Sequence, residues 1–248
     1  MGLQIENLGH STLRVKLGSL DILTDPFLTR SAGGVPRVVP PACSPEEVSP
    51  RLVLVSHAHY DHLDLKTLRR IPSEFVVVTP ENCRKVLKEW EVVELKPFTS
   101  FTFGDVKVTL VPARHNRGRN LLYPDTGVGG FILEWNGLTV YFAGDTAFSE
   151  HLYLSISERF SVDVALLPIG GFMPFFRRFH QTPEEAVRGF KILNARWLIP
   201  IHYGSWHVIP FLVKRERALE RLLSYSYISN VSDKVVVLGT GSCWSLEK

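Results

Sequence analysis

Ser56-His57-Ala58-His59-Tyr60-Asp61-His62 places four metal-capable side chains within six residues, directly after the apolar run Leu52-Val53-Leu54-Val55. That run reads as a buried strand and Leu63–Ile71 as a helix, so the motif lies on the turn that leaves a strand end. Imidazole together with carboxylate suits zinc, iron or manganese, whereas calcium and magnesium prefer all-oxygen shells. With this composition an HxHxDH pattern arises by chance in roughly one such sequence in two thousand, so a merely solvated polar loop is the weaker reading. Six residues cannot wrap all four side chains tetrahedrally around one ion. His57 and His59 are therefore expected to serve one ion and Asp61 and His62 a second, with further ligands supplied from elsewhere.

Those ligands are sought at other strand ends. His115 follows Val108-Thr109-Leu110-Val111-Pro112, Asp145 follows Tyr141-Phe142-Ala143-Gly144, and His202 follows Leu198-Ile199-Pro200-Ile201. Three strands that each end in a ligand-type residue would converge on one sheet edge.

The rest of the sequence defines the setting. With 248 residues, 45% hydrophobic and 21% charged, the chain can bury a full core. A net charge of +3 without a basic stripe argues against nucleic acid as a partner. No basic segment followed by an apolar core opens the sequence, and the most apolar stretch, Trp197–Val213, is broken by His202, His207 and two prolines. Cys43, Cys83 and Cys243 have no CxxC spacing and read as buried or half-buried thiols of a cytoplasmic protein. Strand-like runs recur at Leu20–Leu23, Leu52–Val55, Phe75–Thr79, Val106–Val111, Gly130–Trp135, Thr139–Phe142, Val164–Leu167 and Val235–Leu238. Asn136-Gly137 signals a type I′ hairpin. Thr182-Pro183-Glu184-Glu185 signals a capped helix start, and Gly239-Thr240-Gly241-Ser242 a turn after the final strand. Strands in the first half and alternating strands and helices in the second predict a layered α/β sandwich over residues 1–248 as one domain. The irregular connections 26–50, 113–126 and 168–181 are long enough to be expected to carry function.

In these motifs and their order the chain resembles the metallo-β-lactamase superfamily, and within it most nearly the N-acyl-phosphatidylethanolamine phospholipase D group. The matching segments are Leu8–Thr12, Leu23–Pro26, Ser56–Asp64, Phe142–Thr146, Leu167–Gly170, His180–Val187 and Ile201–Gly204; L-ascorbate-6-phosphate lactonases share several of them. The resemblance implies a four-layer αββα sandwich with two zinc ions, manganese or iron being alternatives. It implies His57, His59 and His115 on one ion, Asp61, His62 and His202 on the other, and Asp145 bridging them. Asp25 would orient a ligand histidine and His10 would lie just behind the metals. Tyr60 and His180 match positions that contact substrate in the phospholipase, and His180 would join Asp61 and Asp145 in catalysis.

The implied reaction is hydrolysis of a phospholipid-like phosphodiester by a metal-bridging hydroxide. A lactone or ester hydrolase is the runner-up, and a non-hydrolytic iron- or ligand-binding protein the third reading. Departures fall at the pocket rim: the phospholipase's HW is His115-Asn116, and its HWGTF is His202-Tyr203-Gly204-Ser205-Trp206; its N-terminal extension is expected to have no counterpart here. The segment from Gly170 to His180 has an apolar character around two arginines. Phe172, Phe175 and Phe176 are expected to hold an acyl chain or touch a membrane face from the cytoplasmic side, with Arg177 and Arg178 meeting phosphate.

Overall fold

Strands whose two faces are both covered read as unbroken apolar runs, because neither set of alternating side chains meets water. This is how β13 (Val164–Pro168) reads, with every residue buried, and β12 (Leu138–Phe142) is interrupted only by the half-buried Thr139. The computed structural model describes residues 2–171, 178–205 and 217–247. Its first sheet has seven strands in the order β15 (Cys243–Leu246), β1 (Leu3–Gly9), β2 (Thr12–Leu17), β3 (Leu20–Thr24), β6 (Leu52–Leu54), β7 (Val76–Pro80) and β8 (Glu91–Leu95). The second has six, in the order β14 (Trp197–Ile201), β13, β12, β11 (Gly130–Trp135), β10 (Val106–Val111) and β9 (Ser100–Phe103). A two-stranded ribbon, β4 (Ser31–Ala32) with β5 (Val35–Pro36), lies within the 26–50 connection.

The sheets face each other across Ile5, Val15, Leu54, Val108, Phe131 and Phe142, among others. The outer face of the second sheet, with Ile132, Tyr141 and Leu167, is covered by α2 (Glu150–Ser157), α3 (Pro183–Leu193) and α4 (Arg217–Ile228). The outer face of the first, with Leu23, Val53 and Val77, is covered by α1 (Leu65–Arg70) and neighbouring turns. This is the expected αββα sandwich.

Strand direction decides where chemistry can gather. β3, β6, β7 and β8 are parallel, as are β12, β13 and β14. β1 and β10 each lie two antiparallel steps from a member of these sets, β3 and β12, and so run the same way. The C-terminal ends of β1, β3, β6, β10, β12 and β14 carry His10, Asp25, the 56–62 motif, His115, Asp145 and His202 in turn.

Local signals held where the responsible contact is short-range. Asn136 and Gly137 have φ of 47° and 71° and join β11 to β12. Thr182 accepts from the Glu185 amide and Glu185 returns a 2.8 Å bond to the Thr182 amide, which starts α3. α1 begins at Leu65, two residues later than expected, because Asp64 caps it by accepting from Lys66 N.

Val235–Leu238 is a correction. Only Val235 bridges Leu198, after which the chain crosses to the other sheet, guided by the 2.7 Å bond from Asn7 Nδ2 to the Leu238 carbonyl. The turn at 239–242 therefore precedes β15, whose pairing of Leu3 with Leu246 no local pattern announces. The thiol expectation is corrected at Cys243, which is exposed on the edge strand; Cys83 is buried and Cys43 half-buried, all three free. No helix among the described residues is long and apolar enough to cross a membrane.

Thr182→Ala removes the acceptor for an otherwise unpaired helical amide and should lower stability by about 1 kcal/mol, or roughly 2–4 °C in Tm. Thermal unfolding measures it, and an unchanged Tm contradicts the capping role.

Candidate metal centre

Three site residues adopt left-handed backbone as they leave their strands: His10 (φ 63°), Asp25 (φ 36°) and His202 (φ 54°). For a residue with a Cβ this costs roughly 1–3 kcal/mol and persists only where the surroundings impose it. Each bends the chain back over the sheet edge, and His202 N donates to the His10 carbonyl at 3.1 Å, tying the edge of one sheet to that of the other. Gly144, at φ 58°, brings Asp145 against the motif, since a Cβ there would collide with Ser56 Cβ.

Among the described residues four overlapping groups of ligand atoms result, two of them being Asp25, His57 and His62, and His115, Asp145 and His180. The other two divide the motif. His57, His59 and His115 form one, with His59 Nδ1 2.9 Å from His57 Nε2 and 3.2 Å from His115 Nε2. Asp61, His62, His202 and His10 form the other. Asp61 Oδ2 lies 3.1 Å from His10 Nε2, 3.8 Å from His62 Nε2 and 3.9 Å from His202 Nε2. Asp145 reaches both: its Oδ2 is 3.2 Å from His62 Nε2, 3.1 Å from His202 Nε2 and 3.9 Å from His115 Nε2.

Outward hydrogen bonds set the ring tautomers. The buried Asp25 carboxylate accepts from Ser56 N and Ser56 Oγ at 2.7 Å and pairs with His62 Nδ1 at 2.6 Å. Because the Ser56 hydroxyl hydrogen is given to Asp25, Ser56 Oγ accepts from His57 Nδ1 at 2.9 Å. His115 Nδ1 donates to the Phe179 carbonyl at 2.8 Å. In His57 and His115 the proton is thereby held on Nδ1 and the Nε2 lone pair faces inward, and in His62, with Nδ1 on Asp25, Nε2 points the same way. His59 is turned the other way, with Nδ1 inward and Nε2 3.3 Å from the Asn116 amide.

The fit to metal ions is tested by what these inward atoms lack. Asp145 Oδ1 is buried with no hydrogen-bond partner among the described residues, and His62 Nε2 and His202 Nε2, also buried, have only Asp145 Oδ2 to share at 3.2 and 3.1 Å, without a well-formed hydrogen bond. Unmet buried polar atoms are costly, and lone pairs of several imidazoles turned towards one another repel, so the arrangement calls for an electrophile between them. Nitrogen-rich groups completed by carboxylate fit zinc, manganese or iron. The electrostatics agree. Burial and neighbouring imidazoles hold His57 well below its ordinary pKa, and burial brings His59 to about 4. Burial opposes the charge on His62 and His202, but Asp145 and the neighbouring acids outweigh it, raising His62 well above its usual value and His202 to about 9. Divalent cations would take the place of those protons.

The remaining expected residues are placed as follows. His180 lies inside the cluster, not at its rim, with Nδ1 3.5 Å from Asp145 Oδ2 and its ring stacked on His202 at 5.2 Å. Burial lowers its pKa to about 4, so at neutral pH it offers a hydrogen bond without a charge. Tyr60 is exposed at the mouth, its hydroxyl accepting from Asn120 Nδ2 at 3.0 Å. Arg178 is exposed next to Phe179. Phe172, Phe175, Phe176 and Arg177 lie outside the described residues, and with them most of the 170–180 expectation.

Sequence reasoning missed Ser56, which relays Asp25 to His57, and Arg119, whose guanidinium reaches the Ala58 and Leu63 carbonyls. A serine before the motif and an arginine in a distant loop carry no spacing signal of their own.

Asp25→Asn keeps the shape and removes the charge behind His62 and Ser56. Metal affinity should fall about 10–100-fold in chelator competition; binding as tight as the wild type's would remove Asp25 from this role.

Residues 21–203 match the family model of the beta-lactamase superfamily domain. A UPF0173 metal-dependent hydrolase of Natranaerobius thermophilus is 32% identical over 215 residues, covering 84% of this chain and 86% of the relative. One of Thermococcus onnurineus is 30% identical over 215 residues, covering 82% and 85%. Among solved structures, a metallo hydrolase of Ignicoccus hospitalis superposes with a TM-score of 0.75 over the whole of both chains at 22% identity, a likeness of fold. The chain belongs to the beta-lactamase superfamily and, with these relatives, to the UPF0173 metal-dependent hydrolase family.

Proposed function

We propose that this chain is a binuclear zinc hydrolase that cleaves a phosphodiester of the kind found in phospholipids. The observation that carries the metal-dependent part is the pair of ligand groups joined by Asp145, with buried inward atoms that lack partners. His57, His59 and His115 would hold one ion and Asp61, His62 and His202 the other. Metal ions bound there supply Lewis-acid polarisation and a lowered water pKa. The phosphodiester rests on the resemblance to the phospholipase D group, and Arg114, Arg117 and Arg178, exposed within three residues of His115 or His180, support an anionic substrate.

The chain's own residues do the positioning. Asp25 and Ser56 keep His62 and His57 in the tautomers that turn Nε2 inward. His115 is aimed by the Phe179 carbonyl. His10, with Nδ1 3.0 Å from Ser205 Oγ, holds Asp61 from behind. His180, neutral and beside Asp145, is placed to donate a hydrogen bond to a substrate oxygen. The donor set also accepts manganese or iron.

Two experiments test this reading. Zinc-loaded protein is offered an aryl phosphodiester and a simple lactone, with Asp61→Asn as control. Phosphodiester cleavage that disappears in the control supports the proposal. Cleavage of the lactone alone moves the substrate class to lactones and keeps the metals, and cleavage of neither by fully loaded protein overturns the hydrolase reading. Separately, Asp145→Ala is expected to abolish turnover and lower bound metal, since it removes the carboxylate that serves both groups; full activity contradicts the bridging role.

A further inference from the structure

Leu121 and Leu122 stand at the tip of the 115–126 connection with 98% and 81% of their surfaces exposed. A single exposed leucine needs no explanation. Two adjacent ones on a braced loop do, because the bracing keeps them from folding onto the protein. Asn120 Oδ1 accepts from Leu122 N at 2.9 Å and Tyr123 N at 3.2 Å, and Arg119 N donates to the Tyr123 carbonyl at 2.8 Å. At the base of the loop Gly118 N donates to the Thr126 carbonyl at 3.1 Å. Arg119 then fastens the loop to the metal motif: Nη1 donates to the carbonyls of Ala58 at 2.7 Å and Leu63 at 2.8 Å, and its guanidinium lies 4.1 Å over the Tyr60 ring.

The tip therefore has a fixed place at the mouth of the site, and its neighbours share its character. Tyr60 and Phe179 are exposed there, Phe179 through the segment whose carbonyl aims His115. Arg114, Arg117 and Arg178 are exposed on the same segments. Asp125, the exposed acid of the 115–126 connection, is already paired with Lys85 at 2.8 Å.

We propose that this rim docks on the anionic face of a lipid bilayer, with Leu121 and Leu122 entering the headgroup region and the arginines meeting lipid phosphates. Adjacent exposed leucines on a stretch of chain that also carries the exposed Arg114 and Arg117 match what an interfacial anchor needs. A second copy of this chain fits less well, since a two-fold contact through this rim would set arginines against arginines. The docking surface is independent of which bond the site cleaves, because vesicle binding and turnover of a soluble substrate are separate readouts.

The test is co-sedimentation of the full chain with vesicles of phosphatidylcholine alone and of phosphatidylcholine mixed with phosphatidylglycerol. The wild type should bind the mixed vesicles and release as salt is raised. Leu121→Ser/Leu122→Ser should partition at least about tenfold more weakly, with its Tm, metal content and rate on a soluble aryl phosphodiester unchanged. Arg114→Ala/Arg117→Ala should lose the preference for phosphatidylglycerol. Failure of the wild type to bind either vesicle, equal binding by the leucine double variant, or a dimer that dissociates in that variant would each overturn the proposal. Absence of phosphodiester cleavage with vesicle binding intact would overturn the proposed reaction and leave the docking surface standing.

Discussion

The buried carboxylate of Asp25 is the contact on which the candidate centre depends. It stands at the end of β3 in a left-handed conformation, its own amide donating to Leu54 at the end of the adjacent β6. From there it accepts from the Ser56 amide, the Ser56 hydroxyl and His62 Nδ1. One side chain thus fixes the turn that carries the motif, sets His62 directly and sets His57 through Ser56. A buried carboxylate with three donors is well satisfied, and the polarity it imposes on its donors is what leaves the imidazole lone pairs on the far side.

The sandwich supplies the rest by direction. Parallel strands must be joined by crossovers that return to the opposite end, so their C-terminal edges are free to bear long, irregular connections. Six strands with a common direction in two facing sheets bring His10, Asp25, the 56–62 motif, His115, Asp145 and His202 to one edge. The left-handed residues and Gly144 are the local cost of turning those side chains inward.

How much of this could be read beforehand follows the range of the interactions. The motif, the places of His115, Asp145 and His202 after strand ends and the Thr182 cap were legible because each depends on neighbours in sequence or on a pattern that repeats along a strand. The Ser56 relay, the Arg119 clamp and the crossing at Val235–Leu238 were not legible, since each is fixed by a partner tens to hundreds of residues away. His180 shows a finer limit. Its presence at the site was expected, but burial against Asp145, His202 and His115 decides its charge, and burial is a property of the fold.

The central proposal is that the inward-facing imidazoles and acids would hold two metal ions joined by one carboxylate. Anomalous diffraction at the zinc edge from crystals of the zinc-loaded chain tests it most directly. Two peaks per chain are expected, one among His57, His59 and His115 and one among Asp61, His62 and His202, with Asp145 in contact with both. A single peak, or none at full zinc loading, would contradict the account.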